Sequence, residues 1–566
     1  MNVAQILITL FGGLALFIYG MNMMSDGLQK SAGEKMKSIL ALLTKNRFIG
    51  VIAGALVTAV LQSSSATTVM VIGFVSAGLM NLPQAISIIL GANIGTCITA
   101  QLVAFKIGDY AWAFVFLGFL MFFFLAKKNE KIMDFGEVIF GFGVLFVGLN
   151  VMGDAMEPLA ASPAFADIML KVSDIPALGV IVGAGLTAVI QSSSASIAVL
   201  QNLASTAGPD GVTSIIGLTG AIPILFGTNI GTTITAVLAS IGGSINAKRT
   251  ALAHTMFNVG GTLLFIWFTP FIAEFIQAIS PSGEEIDVIS RQIANSHLAF
   301  NIATTIAFIP FIGFLVKFVT KVVSGTDAEK DPMEPLYLDY NVLEQPFVAI
   351  HLATRELTRM AGITSDMLVE TRKAFIAGDQ EAIDRVWKYE EQVNNLQDKI
   401  TEYLASIFSI ETVTEHQAAT ISGLMHIVSD IEHIGDNCKN IVEFATEKIE
   451  NKYEFSDVAY AEIYSCFDHG SKMIIDSIEA LKNGDRELAK NVKRAEKALN
   501  ILETDLRTKH LERLNNKECS AEFTVMYTDV IHNIERIGDS CDNIANAVLD
   551  DIKIKLKVDE VEANNN

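Results

Sequence analysis

Two short polar stretches, Leu61-Gln62-Ser63-Ser64-Ser65-Ala66-Thr67-Thr68 and Ile190-Gln191-Ser192-Ser193-Ser194-Ala195-Ser196, each lie between apolar runs. Neither carries a charge, yet both are dense in hydroxyl and amide groups. Unsatisfied polar groups in lipid cost several kcal/mol each, so neither stretch suits a helix facing hydrocarbon. The flanking runs Phe48–Leu61 and Ala66–Met80 are also short. At about 1.5 Å per residue each covers only about half to two-thirds of a bilayer. The pattern predicts a re-entrant hairpin with serines at its tip. A second copy predicts a site made from two halves.

Other motifs recur in the same order. Gly20-Met21-Asn22-Met23-Met24-Ser25-Asp26 returns as Gly148-Leu149-Asn150-Val151-Met152-Gly153-Asp154, and Gly91-Ala92-Asn93-Ile94-Gly95-Thr96 returns as Gly227-Thr228-Asn229-Ile230-Gly231-Thr232. The offsets of the three motif pairs are 128, 129 and 136, which marks an internal duplication, with repeats at about 5–126 and 132–276. Ile6–Met24 is long enough to span, and with no basic region before it, it reads as a retained membrane helix. Gln84–Phe105, interrupted at the Asn-Ile-Gly-Thr motif, and Tyr110–Leu125 are further spans, and Ile293–Val316 is an extra one. Basic loops at Lys30–Arg47, Lys127–Lys131, Lys248–Arg249 and Lys317–Lys321 are expected on the cytoplasmic side. Acidic loops at Asp167–Asp174 and Glu284–Asp287 are expected outside, so the N-terminus lies outside and the repeats are inverted. Inverted repeats with broken helices meeting near the midplane are a secondary-transporter architecture. The fold expected for residues 1–326 is therefore an all-α polytopic membrane transporter with re-entrant hairpins.

The remaining chain is different in kind. The net charge of −21 falls entirely after residue 326, because the first part balances its acidic and basic residues. Such acidity argues against nucleic acid and against docking on anionic lipid. Residues 327–340, with Pro332 and Pro335, read as a linker, 341–555 as a soluble cytoplasmic domain and 556–566 as a disordered tail. Six long helices are expected, forming two three-helix bundles, because Asp430–Ile441 matches Asn533–Ile544 at offset 103. Glu432, Asp436 and Asn440 share one helix face, as do Glu535, Asp539 and Asn543, with Glu390/Asn394 and Glu496/Asn500 one helix earlier. Aligned carboxylates repel unless cations offset them, so these are candidate metal faces, against the alternative of a solvated acidic face. The five cysteines are odd in number, form no CxxC and read as free buried thiols.

The polar motifs of the membrane half contain no Lys or Arg. An anion there must rely on hydroxyls, backbone N–H groups and the positive ends of half-helices. Ser63, Ser64, Ser65, Thr67, Ser192, Ser193, Ser194 and Ser196 supply these. Gln62, Gln191, Asn93, Asn229, Thr96 and Thr232 offer oxygens of the kind a small hard cation needs. His254-x-x-Phe257-Asn258 and His297-x-x-Phe300-Asn301 form a further local pair, in which each His could relay protons or pair internally, and an interhelical hydrogen bond from each His is expected.

With duplicated Gln-Ser-Ser-Ser and Asn-Ile-Gly-Thr motifs, residues from about 5 to 320 resemble the type II sodium–phosphate cotransporter family. Residues from about 341 to 555 resemble PhoU, through the motifs at Glu432/Asp436/Asn440 and Glu535/Asp539/Asn543. The resemblance implies transport of inorganic phosphate with sodium ions as co-substrate, and a divalent or iron-type metal cluster in a regulatory domain. His433 stands where PhoU-like motifs often carry Arg, as Arg536 does in the second copy, which sets the first metal face apart. A lipid bilayer, a homodimer and a signalling partner are further expectations, with residence in the cytoplasmic (inner) membrane. Rival readings are a carrier of another oxyanion, such as sulfate or a dicarboxylate, and a phosphate sensor without net transport. An enzyme is not expected, since no nucleophilic triad or phosphate-cradling Gly-Lys loop occurs.

Overall fold

The computed structural model describes residues 3–550 apart from 42–45, 77, 106, 126–129, 161, 209, 211, 242, 326–330, 332, 411–412 and 520–522. The expected tail 556–566, Lys45, Lys127, Lys128 and the first part of the linker lie outside the described residues. The described residues are helical, with one isolated bridge between Ala207 and Ser214. The chain divides into two compact units, one ending at Asp327 and one starting at Ala328.

The first unit holds α1 (Val3–Ala41), α2 (Arg47–Leu61), α3 (Ser64–Ser76), α4 (Leu82–Gly95), α5 (Cys97–Val103), α6 (Ala111–Phe119), α7 (Glu130–Ala160), α8 (Pro163–Asp174), α9 (Pro176–Ile190), α10 (Ser193–Ala204), α11 (Gly217–Ala239), α12 (Ile245–Phe265), α13 (Thr269–Ile279), α14 (Glu285–Phe308) and α15 (Ile312–Val322). Among the described residues six helical stretches are long and apolar enough to cross a membrane. The paired helices α2–α3 and α9–α10 are each too short to do so. They form the two expected hairpins. Gln62 and Gln191 turn the chain at each tip, at φ 50° and 59°, and no glycine is present to ease that conformation.

The expected span Tyr110–Leu125 falls in a helical stretch, Gly108–Phe124, that is too short to count among the six, and the expected acidic loop Asp167–Asp174 is part of α8. Two further features differ from expectation. The Asn-Ile-Gly-Thr motif interrupts its helix only in the first copy, at Thr96, whereas α11 runs through the second without a break. The glycines here are packing points. A Cβ on Gly91 would collide with Val51 O and one on Gly95 with Ala55 O; Gly227 and Gly231 stand in the same relation to Val180 O and Ala184 O. Backbones therefore touch along α2/α4 and again along α9/α11. The extra span is also longer than Ile293–Val316: α14, a 3-10 turn at Ile309–Phe311 containing Pro310, and α15 make one apolar stretch from Glu285 to Val322. Proline tightens that turn without ending the hydrophobic run.

Helices α1 and α7 pack closely and antiparallel. Gly13, Gly20 and Gly27 of α1 meet Gly148, Gly141 and Asp134 of α7 in descending order, with backbone against backbone. Seven-residue spacing keeps these glycines on one face, the small-residue seam by which membrane helices approach. Lys30 pairs with the largely buried Glu137 at 2.8 Å at one end of the seam.

The second unit holds α16 (Pro346–Ala377), α17 (Gln380–Phe408), α18 (Glu415–Glu450), α19 (Asp457–Asn483), α20 (Arg486–Asn515) and α21 (Thr524–Leu549). Its two halves use the same corner. Gly378 and Gly484 end a helix at positive φ, and Asp379 and Asp485 cap the next by accepting from two backbone N–H groups. The end of the expected linker belongs to this unit: the fully buried Glu356 accepts from Leu336 N and Tyr337 N, and Tyr403 donates to Asp339 O. Among the described residues all five cysteines are free, four of them buried.

The glycine contacts set a stability test. Gly227→Ala should destabilise the purified protein by about 1–3 kcal/mol through overpacking. Gly185→Ala, where a Cβ meets nothing within 4 Å, should be neutral or slightly stabilising. Thermal melts of the two variants against the parent decide this.

Candidate functional site

Each hairpin tip is a helix end followed by a helix start. Ser63 and Ser192 cap α3 and α10, accepting from Ala66 N at 3.1 Å and Ala195 N at 3.2 Å. Their hydroxyls are thus committed to the fold. Thr67 and Ser196 donate back to the carbonyls of Ser63 and Ser192. The next residues differ: Ser64, Ser193 and Ser194 are each about 5 % exposed, and among the described residues their hydroxyls have no hydrogen-bond partner. They stand in the first turn of a helix, where backbone N–H groups also lack intrahelical partners. Nearly buried hydroxyls beside free N–H groups can receive an anion.

The two tips are braced unequally. Gln62 is buried, accepts from Thr99 Oγ1 at 2.7 Å and donates to Ala59 O at 2.5 Å. The Gln191 side chain is exposed and, among the described residues, has no hydrogen-bond partner. Ser65 accepts from Thr235 Oγ1 at 3.1 Å, which ties the first hairpin to the second repeat. Thr58 donates to Thr67 at 2.8 Å across the first hairpin.

Asn93 and Asn229 do not project at the serines. Asn93 donates to Asn258 Oδ1 at 2.8 Å, and Asn229 donates to Asn301 Oδ1 at 3.0 Å. Asn258 and Asn301 in turn donate to His254 O and His297 O. The His-x-x-Phe-Asn motifs therefore brace the Asn-Ile-Gly-Thr motifs, once per repeat. Thr96 Oγ1 is buried without a partner, while Thr232 donates to Thr228 O. Thr99 and Thr235 escaped the sequence reading. The signal was present, since both lie three residues past the end of their Asn-Ile-Gly-Thr copy.

In the second unit the motif asparagines turn away from the motif carboxylates. Asn440 donates to Asn533 Oδ1 at 3.1 Å and Asn543 donates to Asp430 Oδ1 at 2.9 Å, so both stitch α18 to α21. Glu390 accepts from Lys439 at 3.0 Å and from Asn394 at 2.9 Å, and Glu496 accepts from Asn500 at 2.5 Å. Glu432, His433 and Asp436 can each bring one ligand atom within 4.8 Å of the others. This gathers a candidate set in the first copy, the face that the His433 substitution had set apart. Burial, and then repulsion by Asp436, pushes the Glu432 carboxyl above its usual range. In the second copy burial, then Asp539 and Glu503, pushes Glu535 up to about 7.

Comparison with known proteins matches two families, each twice. The Na+/Pi-cotransporter family covers residues 16–154 and 149–280, and the PhoU domain covers 357–445 and 463–548. An uncharacterized protein YqeW of Bacillus subtilis (strain 168) is 36% identical over 276 residues, 49% of this chain and 87% of that protein. A putative inorganic phosphate export protein YjbB of Salmonella typhimurium is 24% identical over 547 residues, 96% of this chain and 97% of that protein. The human sodium-dependent phosphate transport protein 2B is 38% identical over 106 residues, 18% of this chain and 15% of that protein.

The raised Glu535 carboxyl has a pH consequence. Its folded-state value lies above the ordinary one, so its contribution to stability is present below about pH 4.5 and is lost as pH rises through about 7. In chelator, Glu535→Gln should therefore melt higher than wild type at pH 8, with the advantage gone at pH 5. Thermal unfolding of both proteins across that range measures it.

Proposed function

The chain belongs to the Na+/Pi-cotransporter family, with a PhoU pair appended, and from that premise we propose that it carries inorganic phosphate together with sodium by alternating access. The family is one of transporters, not enzymes, and the chain is a multi-pass membrane protein. The observation that carries the reading is the set of nearly buried, unpartnered hydroxyls at Ser64, Ser193 and Ser194, each in the first turn of a half-helix. These hydroxyls and their N–H groups receive phosphate oxygens. No basic side chain belongs to the motifs, so sodium supplies the positive charge, held by oxygens of Gln62, Gln191, Thr96 and Thr232. Ser65, Thr67 and Ser196 line the hairpins, Ser63 and Ser192 cap them, and Asn93 and Asn229 hold the helices behind.

Inversion of the repeats is supported by α1 and α7: they carry matching motifs yet run antiparallel. Placement of Lys and Arg supports an N-terminus outside and the PhoU pair in the cytoplasm, at the inner membrane. Net flux in or out follows the gradients.

For the PhoU pair the donors fit a hard divalent or iron-type cation, which would offset carboxylate repulsion. Glu432, His433 and Asp436 would hold it in the first copy, and Glu535, Asp539 and Glu496 in the second. Asn440 and Asn543 serve the contact between α18 and α21 instead. We assign this unit a regulatory role.

The test is labelled phosphate uptake into proteoliposomes. Uptake should rise with an inward sodium gradient, and Ser64→Ala or Ser193→Ala should lower the specificity constant about tenfold or more, as for loss of one hydrogen bond to a charged group. Flat uptake with and without sodium would sink the reading.

A further inference from the structure

Several polar bonds around one hairpin and its Asn-Ile-Gly-Thr copy are missing at the matching place around the other. Thr99 bonds Gln62, but its counterpart Thr235 does not bond Gln191. Thr58 bonds Thr67, but the counterpart Thr187 has a buried hydroxyl with no partner. His297 Nε2 lies 3.3 Å from Asn229 Oδ1, but the counterpart His254, 1 % exposed, has no partner at either ring nitrogen. Thr235 bonds Ser65, whereas Ser194 stays unbonded.

A buried polar atom without a partner is costly, and where one copy lacks a bond the matching residues of the other copy make it. Two equivalent halves held in unequal bonding describe one of two states of a single device. We infer that His254 and His297 are paired positioning residues of the transport cycle. His297 holds Asn229 in the state seen here. In the opposite-facing state His254 holds Asn93, the Thr99–Gln62 bond opens and a Thr235–Gln191 bond closes. The His254–Asn93 and Thr235–Gln191 bonds then replace the His297–Asn229 and Thr99–Gln62 bonds one for one, so the two states stay close in free energy, as rapid exchange requires.

The inference rests on the proposed inverted-repeat carrier, and its test is separable from phosphate flux. Two double-cysteine chains, Gln62→Cys/Thr99→Cys and Gln191→Cys/Thr235→Cys, are made in the full-length protein. They are reconstituted, treated with a short bifunctional methanethiosulfonate, and read by mass spectrometry of the linked peptides against the parent. Both pairs should link, the second more slowly. His254→Leu should slow linking of the 191/235 pair about fivefold, the effect of losing one net hydrogen bond, and leave the 62/99 pair unslowed. His297→Leu should do the reverse, and His254→Gln, which keeps an N–H donor, should restore the rate. The comparison of the two pairs without any histidine change stands even if a leucine variant fails to fold. Linking at both pairs without phosphate flux would defeat the phosphate reading and leave the exchange intact. Linking at 62/99 alone, or equal slowing of both pairs by either leucine variant, would overturn the inference.

Discussion

Polar atoms removed from water are costly without partners, and those of the membrane unit that are paired find partners without any charged side chain at the tips. Amide meets amide at Asn93–Asn258 and Asn229–Asn301, and hydroxyl meets amide at Thr99–Gln62. The amide pairs join α4 to α12 and α11 to α14, whereas Gly54, Gly91, Gly95, Gly183, Gly227 and Gly231 leave no Cβ between α2 and α4 or between α9 and α11. Helices α4 and α11 therefore meet a hairpin helix through glycines and a later helix through amides, which places them behind the half-helices whose first turns carry Ser64, Ser193 and Ser194.

The soluble unit solves a related problem with charge. Asn440 with Asn533 and Asn543 with Asp430 link α18 to α21 at positions related by the duplication. The third motif residue of each copy thus builds the interface, which leaves the carboxylates concentrated beside it. Lys439 eases the first copy by pairing with Glu390. Asp542 occupies the matching place in the second, and there Glu535 is driven furthest from its ordinary value. The two copies are alike in backbone and unlike in electrostatics.

Hairpins, duplication and the six-helix soluble unit were legible because each rests on a local pattern: apolar length, recurrent motif, or Gly-Asp corner. The continuous α11 was not, since a glycine that breaks a soluble helix is a contact point when another backbone lies against it. Nor was the destination of Asn440 and Asn543, because helix periodicity places them on the carboxylate face but says nothing of which neighbour is within reach. Thr99 and Thr235 were within reach of reading, as a third step of the Asn-Ile-Gly-Thr motif. The unequal bonding of the two repeats lies beyond any sequence pattern, because matched residues stand in different surroundings.

The proposed uncharged site takes an anion only if sodium is held beside it. Equilibrium dialysis of the purified full-length protein against labelled phosphate, with sodium exchanged for potassium at constant ionic strength, addresses it directly. Phosphate binding should rise with sodium and collapse in potassium, with loss in the Ser64→Ala and Ser193→Ala chains. Equal phosphate affinity in sodium and potassium would contradict it.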